Sequence, residues 1–101
     1  MRLTEKEKEY ILKFATQIFG YNTKVYLFGS RAIETARGGD IDLLIIPPVN
    51  LESSEFFTKK IQFLVRVLDK IGEQKMDVIV KYPDDTRGII QTAIQEGIQL
   101  C

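Results

Sequence analysis

The chain contains no histidine, no tryptophan and a single cysteine, Cys101, at its last position. Without histidine, neither a Ser-His-Asp nor a Cys-His nucleophilic site can be assembled. Any catalysis must then use carboxylates, lysine, tyrosine, hydroxyls or metal ions. One thiol permits no disulfide within the chain, and with no histidine beside it a Cys/His zinc site is excluded too. An excess of charge of one sign is also missing. The 14 basic residues meet 14 acidic ones, a balance that supplies no general basic face for a nucleic-acid backbone, so direct nucleic-acid binding is not expected. No apolar run is long enough to cross a bilayer. Residues 1–9 alternate charge where a secretion signal has an apolar core, and a cytoplasmic location is expected.

What is present fits one ordinary folded domain. The 101 residues are 45% hydrophobic and 28% charged, a globular composition with enough apolar mass for one core, so residues 1–101 read as a single domain. Thr4-Glu5-Lys6-Glu7 fits a capping box. Ile11, Leu12, Phe14, Ala15, Ile18 and Phe19 follow at helical spacing, and Gly20 is a natural stop. Residues 24–28 read as a first strand, residues 30–36 as about two helical turns, and residues 40–46 as a second strand. That second strand is apolar at nearly every position after Asp42, the pattern of a strand covered on both faces, and Pro47-Pro48 ends it.

A long helix is expected from the region of residues 50–54 to about Ile71. Its main stripe is Phe57, Ile61, Leu64, Val65, Leu68 and Ile71, and a second stripe is Phe56, Phe63 and Val67. Either the helix is deeply packed in the core, or the second stripe faces a protein partner. Residues 76–80 read as a third strand. A last helix follows Pro83-Asp84-Asp85, with Ile89, Ile90, Ala93, Ile94 and Ile98 expected on its buried side. The fold class is therefore α/β, with helices alternating with strands in an αβαβαβ(α) order around a small three-stranded sheet.

Two stretches carry the chemistry. Along a strand, Asp40 and Asp42 project from one face while Ile41 points the other way. Carboxylates held so close repel each other unless a cation lies between them. Hard oxygen donors at this spacing suit Mg²⁺, and Asp77 on another strand could complete a cluster for two ions. Gly29-Ser30 ends the first strand. There the glycine lets backbone approach a ligand closely, and the following helical turn aims free N–H groups at it. A phosphate cradle beside a carboxylate metal site points to metal-assisted phosphoryl or nucleotidyl transfer.

Gly29-Ser30-Arg31-Ala32 followed by Gly39-Asp40-Ile41-Asp42-Leu43 resembles the signature of the DNA polymerase β-like nucleotidyltransferase superfamily, nearest to its minimal, antitoxin-type members. The resemblance covers nearly the whole chain and implies a three-stranded mixed sheet flanked by helices. It also implies transfer of AMP from ATP to an acceptor hydroxyl. Asp40 and Asp42 would bind two Mg²⁺ ions, Asp77 would hold the ion that activates the acceptor, and Gly29, Ser30 and Arg31 would bind the nucleotide. Where many members have a basic residue and a glycine after the alanine, this chain has Ile33 and Glu34, which leaves Arg31 and Arg37 as the cations of the loop. Minimal members are commonly paired with a HEPN-domain toxin, which they modify on tyrosine. The resemblance thus implies a HEPN-type partner, a hetero-oligomer and an antitoxin role, and the neutral net charge and the stripe at Phe56, Phe63 and Val67 fit a protein partner better than RNA. Two alternatives remain open: a non-catalytic module that masks its partner, and a small-molecule nucleotidyltransferase of the antibiotic-modifying type.

Overall fold

The computed structural model describes residues 1–33 and 39–101. Helix α1 (Glu5–Phe19) begins at the capping box read from the sequence. The Glu7 amide donates to Thr4 Oγ1 at 3.0 Å, and the Thr4 amide donates to Glu7 Oε1 at 2.9 Å. Gly20 closes the helix in a left-handed conformation, φ 126°, which a side chain would resist. Strand β1 (Lys24–Phe28) leads into a single 3-10 turn (Gly29–Ala32), and β2 (Ile41–Ile46) follows. The expected second helix falls partly on residues 34–38, outside the described residues. Among the described residues Gly29–Ala32 form one tight 3-10 turn and Ile33 is extended.

Helix α2 (Ser53–Ile71) is capped by Glu52 and Glu55 in a reciprocal box. Strand β3 (Met76–Val80), helix α3 (Gly88–Glu96) and a two-residue strand β4 (Ile98–Gln99) complete the order. The sheet runs β3-β2-β1-β4. Strands β1 and β2 are antiparallel, β2 and β3 parallel, and β4 antiparallel to β1. The expected mixed sheet is present with one more strand than foreseen. Ile98, expected on the last helix, belongs to β4, and Leu100 continues the pairing by donating its amide to Val25 O at 2.7 Å.

Alternation along the strands divides the side chains into two layers. Val25, Leu27, Ile41, Leu43, Ile45 and Val78 face α1 and α2, where they meet Ile11, Phe14, Phe19, Phe63 and Val67 in the main core. Phe28 and Leu44 face the other way, where Ile90 and Ala93 of α3 cover them. Strand β2 is thus buried on both faces, as its apolar run predicts.

The second stripe of α2 enters the core, and the main stripe is split, with Leu64, Leu68 and Ile71 packed against that core and the rest exposed. Phe63 and Val67 are fully buried, whereas Phe57 is 71% exposed and Val65 62% exposed. Phe63 packs against Phe19 of α1 with ring centroids 6.1 Å apart. Phe63 and Val67 of the second stripe are therefore core, with Phe56 partly buried against it; the apolar residues of α2 facing outward are Phe57, Ile61 and Val65. On α3 only Ile90 and Ala93 are buried, and Ile89 and Ile94 are exposed, because this short helix meets the sheet along one narrow line.

Candidate active site

Sheet register brings the carboxylates together. Phe28 lies opposite Asp42 across β1 and β2, and Asp42 opposite Asp77 across β2 and β3. All three share the sheet face on which α3 packs against Phe28 and Leu44, and Asp42 and Asp77 stand side by side there on neighbouring strands. Asp40 lies one step beyond the strand, two residues before Asp42, and its carboxylate is 3.5 Å from Lys75 Nζ. Burial pushes the Asp42 carboxyl above its ordinary range, and the charges of Asp77 and Asp40 push it the same way. Among the described residues no three Asp, Glu, Cys or His side chains close around one point as a ready metal cage. The structure joins Asp42 to Asp77 and leaves Asp40 at the margin, held by Lys75.

The turn after β1 is fitted to that pair. Gly29 has φ 72°, and a Cβ placed there would run into Asp42 Oδ2. Gly39 has φ 88°, and its Cβ would strike Ser30 Oγ. The two glycines let the turn, the serine hydroxyl and Asp42 crowd into one place that no other residue type would permit. The Gly29–Ala32 turn is too short to supply a helix dipole, so any hold on phosphate comes from backbone N–H groups and Ser30.

Arg31 is engaged by hydrogen bonds within the chain. Its Nε donates to Gly39 O at 3.3 Å, Nη1 to Arg2 O at 3.1 Å and Nη2 to Gln74 Oε1 at 3.3 Å. Gln74 in turn donates to Glu7 Oε2 at 3.0 Å. Arg2 answers from the N-terminal segment: its amide donates to Arg31 O at 2.8 Å and its Nη2 to Ser30 O at 3.1 Å. A brace from α1 through Gln74 and Arg31 thus fixes the turn. Sequence reasoning missed Arg2, Gln74 and Lys75, since none lies within the motif. Only the position of Lys75, two residues before Asp77 and hence on the same strand face, offered a signal. Glu34 and Arg37 lie outside the described residues.

The hard-oxygen donors of Asp42 and Asp77, with Asp40 in reach of the same edge, fit a divalent cation by their chemistry and by the charge clash that it would relieve. A surface cavity of about 500 Å³ lies elsewhere, between α1 and α2 beside Ile18, Lys59 and Val65. It is on the opposite side of the sheet from Asp42, and chemistry rather than concavity marks the site.

A mixed sheet with paired carboxylates beside a Gly-Ser turn defines a phosphoryl-transfer type of α/β domain. The chain belongs to the nucleotidyltransferase domain family, whose model matches residues 8–100. No curated protein matches significantly. Among solved structures, a crystal structure of the toxin–antitoxin MntA–HpeT bearing two Asp-to-Glu mutations is similar in fold, with a TM-score of 0.63 at 20% identity over 93% of this chain and 71% of that one. Among the described residues no helix is long and apolar enough to cross a membrane.

Proposed function

We propose that this chain is a Mg²⁺-dependent nucleotidyltransferase that moves AMP from ATP onto a hydroxyl of a partner protein, acting as the antitoxin of a HEPN-type toxin. The observation that carries this reading is the in-register pair Asp42 and Asp77 abutting the Gly29-Ser30 turn. The toxin–antitoxin naming of the structurally similar protein supports the antitoxin role. So do its two aspartate substitutions, which are separated by one residue as Asp40 and Asp42 are.

Asp40, Asp42 and Asp77 would hold the metal. When bound, Mg²⁺ would neutralise charge on the triphosphate and on the attacking and leaving oxygens. The chain's own residues do the rest. Gly29 keeps the turn against Asp42, and Ser30 with the turn's amides binds phosphate oxygens. Arg31 and Arg2 brace the turn against movement, which makes Arg31 a positioning residue within the nucleotide-binding set. The test is incubation with ATP, Mg²⁺ and the purified cognate partner, read by intact-protein mass. The expected result is an AMP-sized gain on the partner; no gain under conditions where the two proteins bind would sink the catalytic reading.

A second reading, masking without chemistry, draws on the exposed α2 residues Phe57, Ile61 and Val65. The double substitution Asp40→Asn with Asp42→Asn separates the two. Lost neutralisation with retained binding supports transfer, and unchanged neutralisation supports masking. Activity on a low-molecular-weight hydroxyl compound without any protein partner would instead point to a small-molecule transferase.

A further inference from the structure

Lys75 immediately precedes β3, and the register that sets Ile41 against Met76 places it opposite Asp40. Its carbonyl accepts from the Ile41 amide at 3.1 Å, which fixes its backbone against β2, and its Nζ stands 3.5 Å from Asp40 Oδ2. The same spot adjoins the turn after β1. Gln74, one residue earlier, is held by Arg31 of that turn, and Gly39, one residue before Asp40, lies against Ser30 Oγ. The backbone of Lys75 is thus anchored while its side chain is 74% exposed, with Asp40 as its one ionic partner among the described residues. Arg31, by contrast, gives its donors to the brace. Burial and the charges of Asp77 and Asp40 raise the Asp42 carboxyl, and Lys75 is the cation that works against them.

We propose that Lys75 makes the site discriminate between a free divalent ion and a metal–nucleotide complex. Its ammonium pairs with Asp40 while no ligand is bound, opposes entry of an ion that comes alone, and turns to phosphate oxygens when ion and triphosphate arrive together. The inference rests on the metal and nucleotide reading of the site given above. An ammonium and a divalent ion compete for one carboxylate, so whatever the pair with Lys75 contributes is subtracted from the affinity of the ion. A triphosphate changes the balance, because it offers the displaced ammonium new anionic oxygens beside the turn. A compact charge on a flexible four-carbon stem can make that exchange without backbone movement.

The variant Lys75→Met separates the two halves, and both are read as binding, without transfer. One probe is Mn²⁺ alone, standing in for Mg²⁺ and followed by its paramagnetic signal. The other is the Mg²⁺ complex of an ATP analogue with a carbon bridge between the α- and β-phosphates, followed by calorimetry. Lys75→Met should bind Mn²⁺ about fivefold more tightly, the upper range for loss of one competing exposed ion pair. It should bind the metal–nucleotide complex about tenfold more weakly, the worth of one charge-assisted contact. Lys75→Arg keeps the charge and should stay near the parent in both. Damage to the fold would weaken both affinities together, and a plain surface ion pair would leave both unchanged; either result overturns the proposal. A parent that binds Mn²⁺ neither alone nor with nucleotide would remove the metal reading and this proposal with it, whereas a parent that binds and a Lys75→Met that matches it would overturn this proposal alone.

Discussion

Asp42 sits half-buried between two other carboxylates, with Asp77 beside it in register and Asp40 two residues away. An uncharged residue at this point relieves the repulsion while removing a ligand. Asp42→Asn should therefore melt higher than the parent at neutral pH in EDTA, by about 2–4 °C if one like-charge contact costs about 0.5 kcal/mol. Added Mg²⁺ should raise the melting temperature of the parent and leave that of Asp42→Asn nearly unchanged; equal shifts in both would argue against a metal role for Asp42. Strand alternation made the shared side of Asp40 and Asp42 legible, because a period of two fixes which side chains share a face, whereas the register that sets Asp42 beside Asp77 exists only in the folded sheet. The work of Arg31 was not legible. Its partners Arg2, Gly39 and Gln74 lie on three separate segments, and only the folded chain brings them together.

At the scale of elements, helix α2 shows what periodicity settles and what it leaves open. Both stripes were readable, yet the longer one is split: Leu64, Leu68 and Ile71 pack on the core while Phe57, Ile61 and Val65 face outward, since Phe63 and Val67 fill the space between the sheet and α1. Phe63→Ala should cost about 3–5 kcal/mol in chemical denaturation. Phe57→Ala should cost under about 0.5 kcal/mol, and the reverse ranking would contradict the packing.

The start of α3 rests on a different device. Asp85, its side chain fully covered, accepts from Arg87 Nη2 at 2.6 Å and Nε at 2.9 Å, and its carboxyl is lowered to about 2, chiefly by these bonds. A carboxyl depressed on folding contributes stability above its unfolded value of about 3.9, and that contribution disappears as pH falls through the folded value. Asp85→Asn should therefore melt below the parent at pH 7, and the gap should close between about pH 4 and pH 2. A gap that stays constant across that window would show that the ion pair contributes nothing. Pro83-Asp84-Asp85 reads in the sequence as a helix-starting turn, but an ion pair between residues two apart, with one partner covered and the other exposed, has no periodic signature.

At the scale of the whole molecule, the sheet is clad unevenly. The face toward α1 and α2 carries the main core, whereas the face with Asp42 is covered by α3 through Ile90 and Ala93 on Phe28 and Leu44. The sequence announced a layered α/β domain, but it gave no measure of how thin the second layer would be, because Ile89, Ile90, Ala93 and Ile94 look equally apolar. Thin cladding lowers the cost of local opening. The amides of α3 should exchange with solvent faster than those of α1 and β2 under native conditions, through openings that leave the main core intact. Phe28 and Leu44 lie on the same face as Asp42, so a ligand that fixes the Asp42–Asp77 row should slow exchange in α3 more than in α1. Hydrogen-exchange mass spectrometry with and without ATP and Mg²⁺ measures both effects. If α3 exchanges only in step with α1, the two layers open as one cooperative unit, and the site is as rigid as the core beneath it.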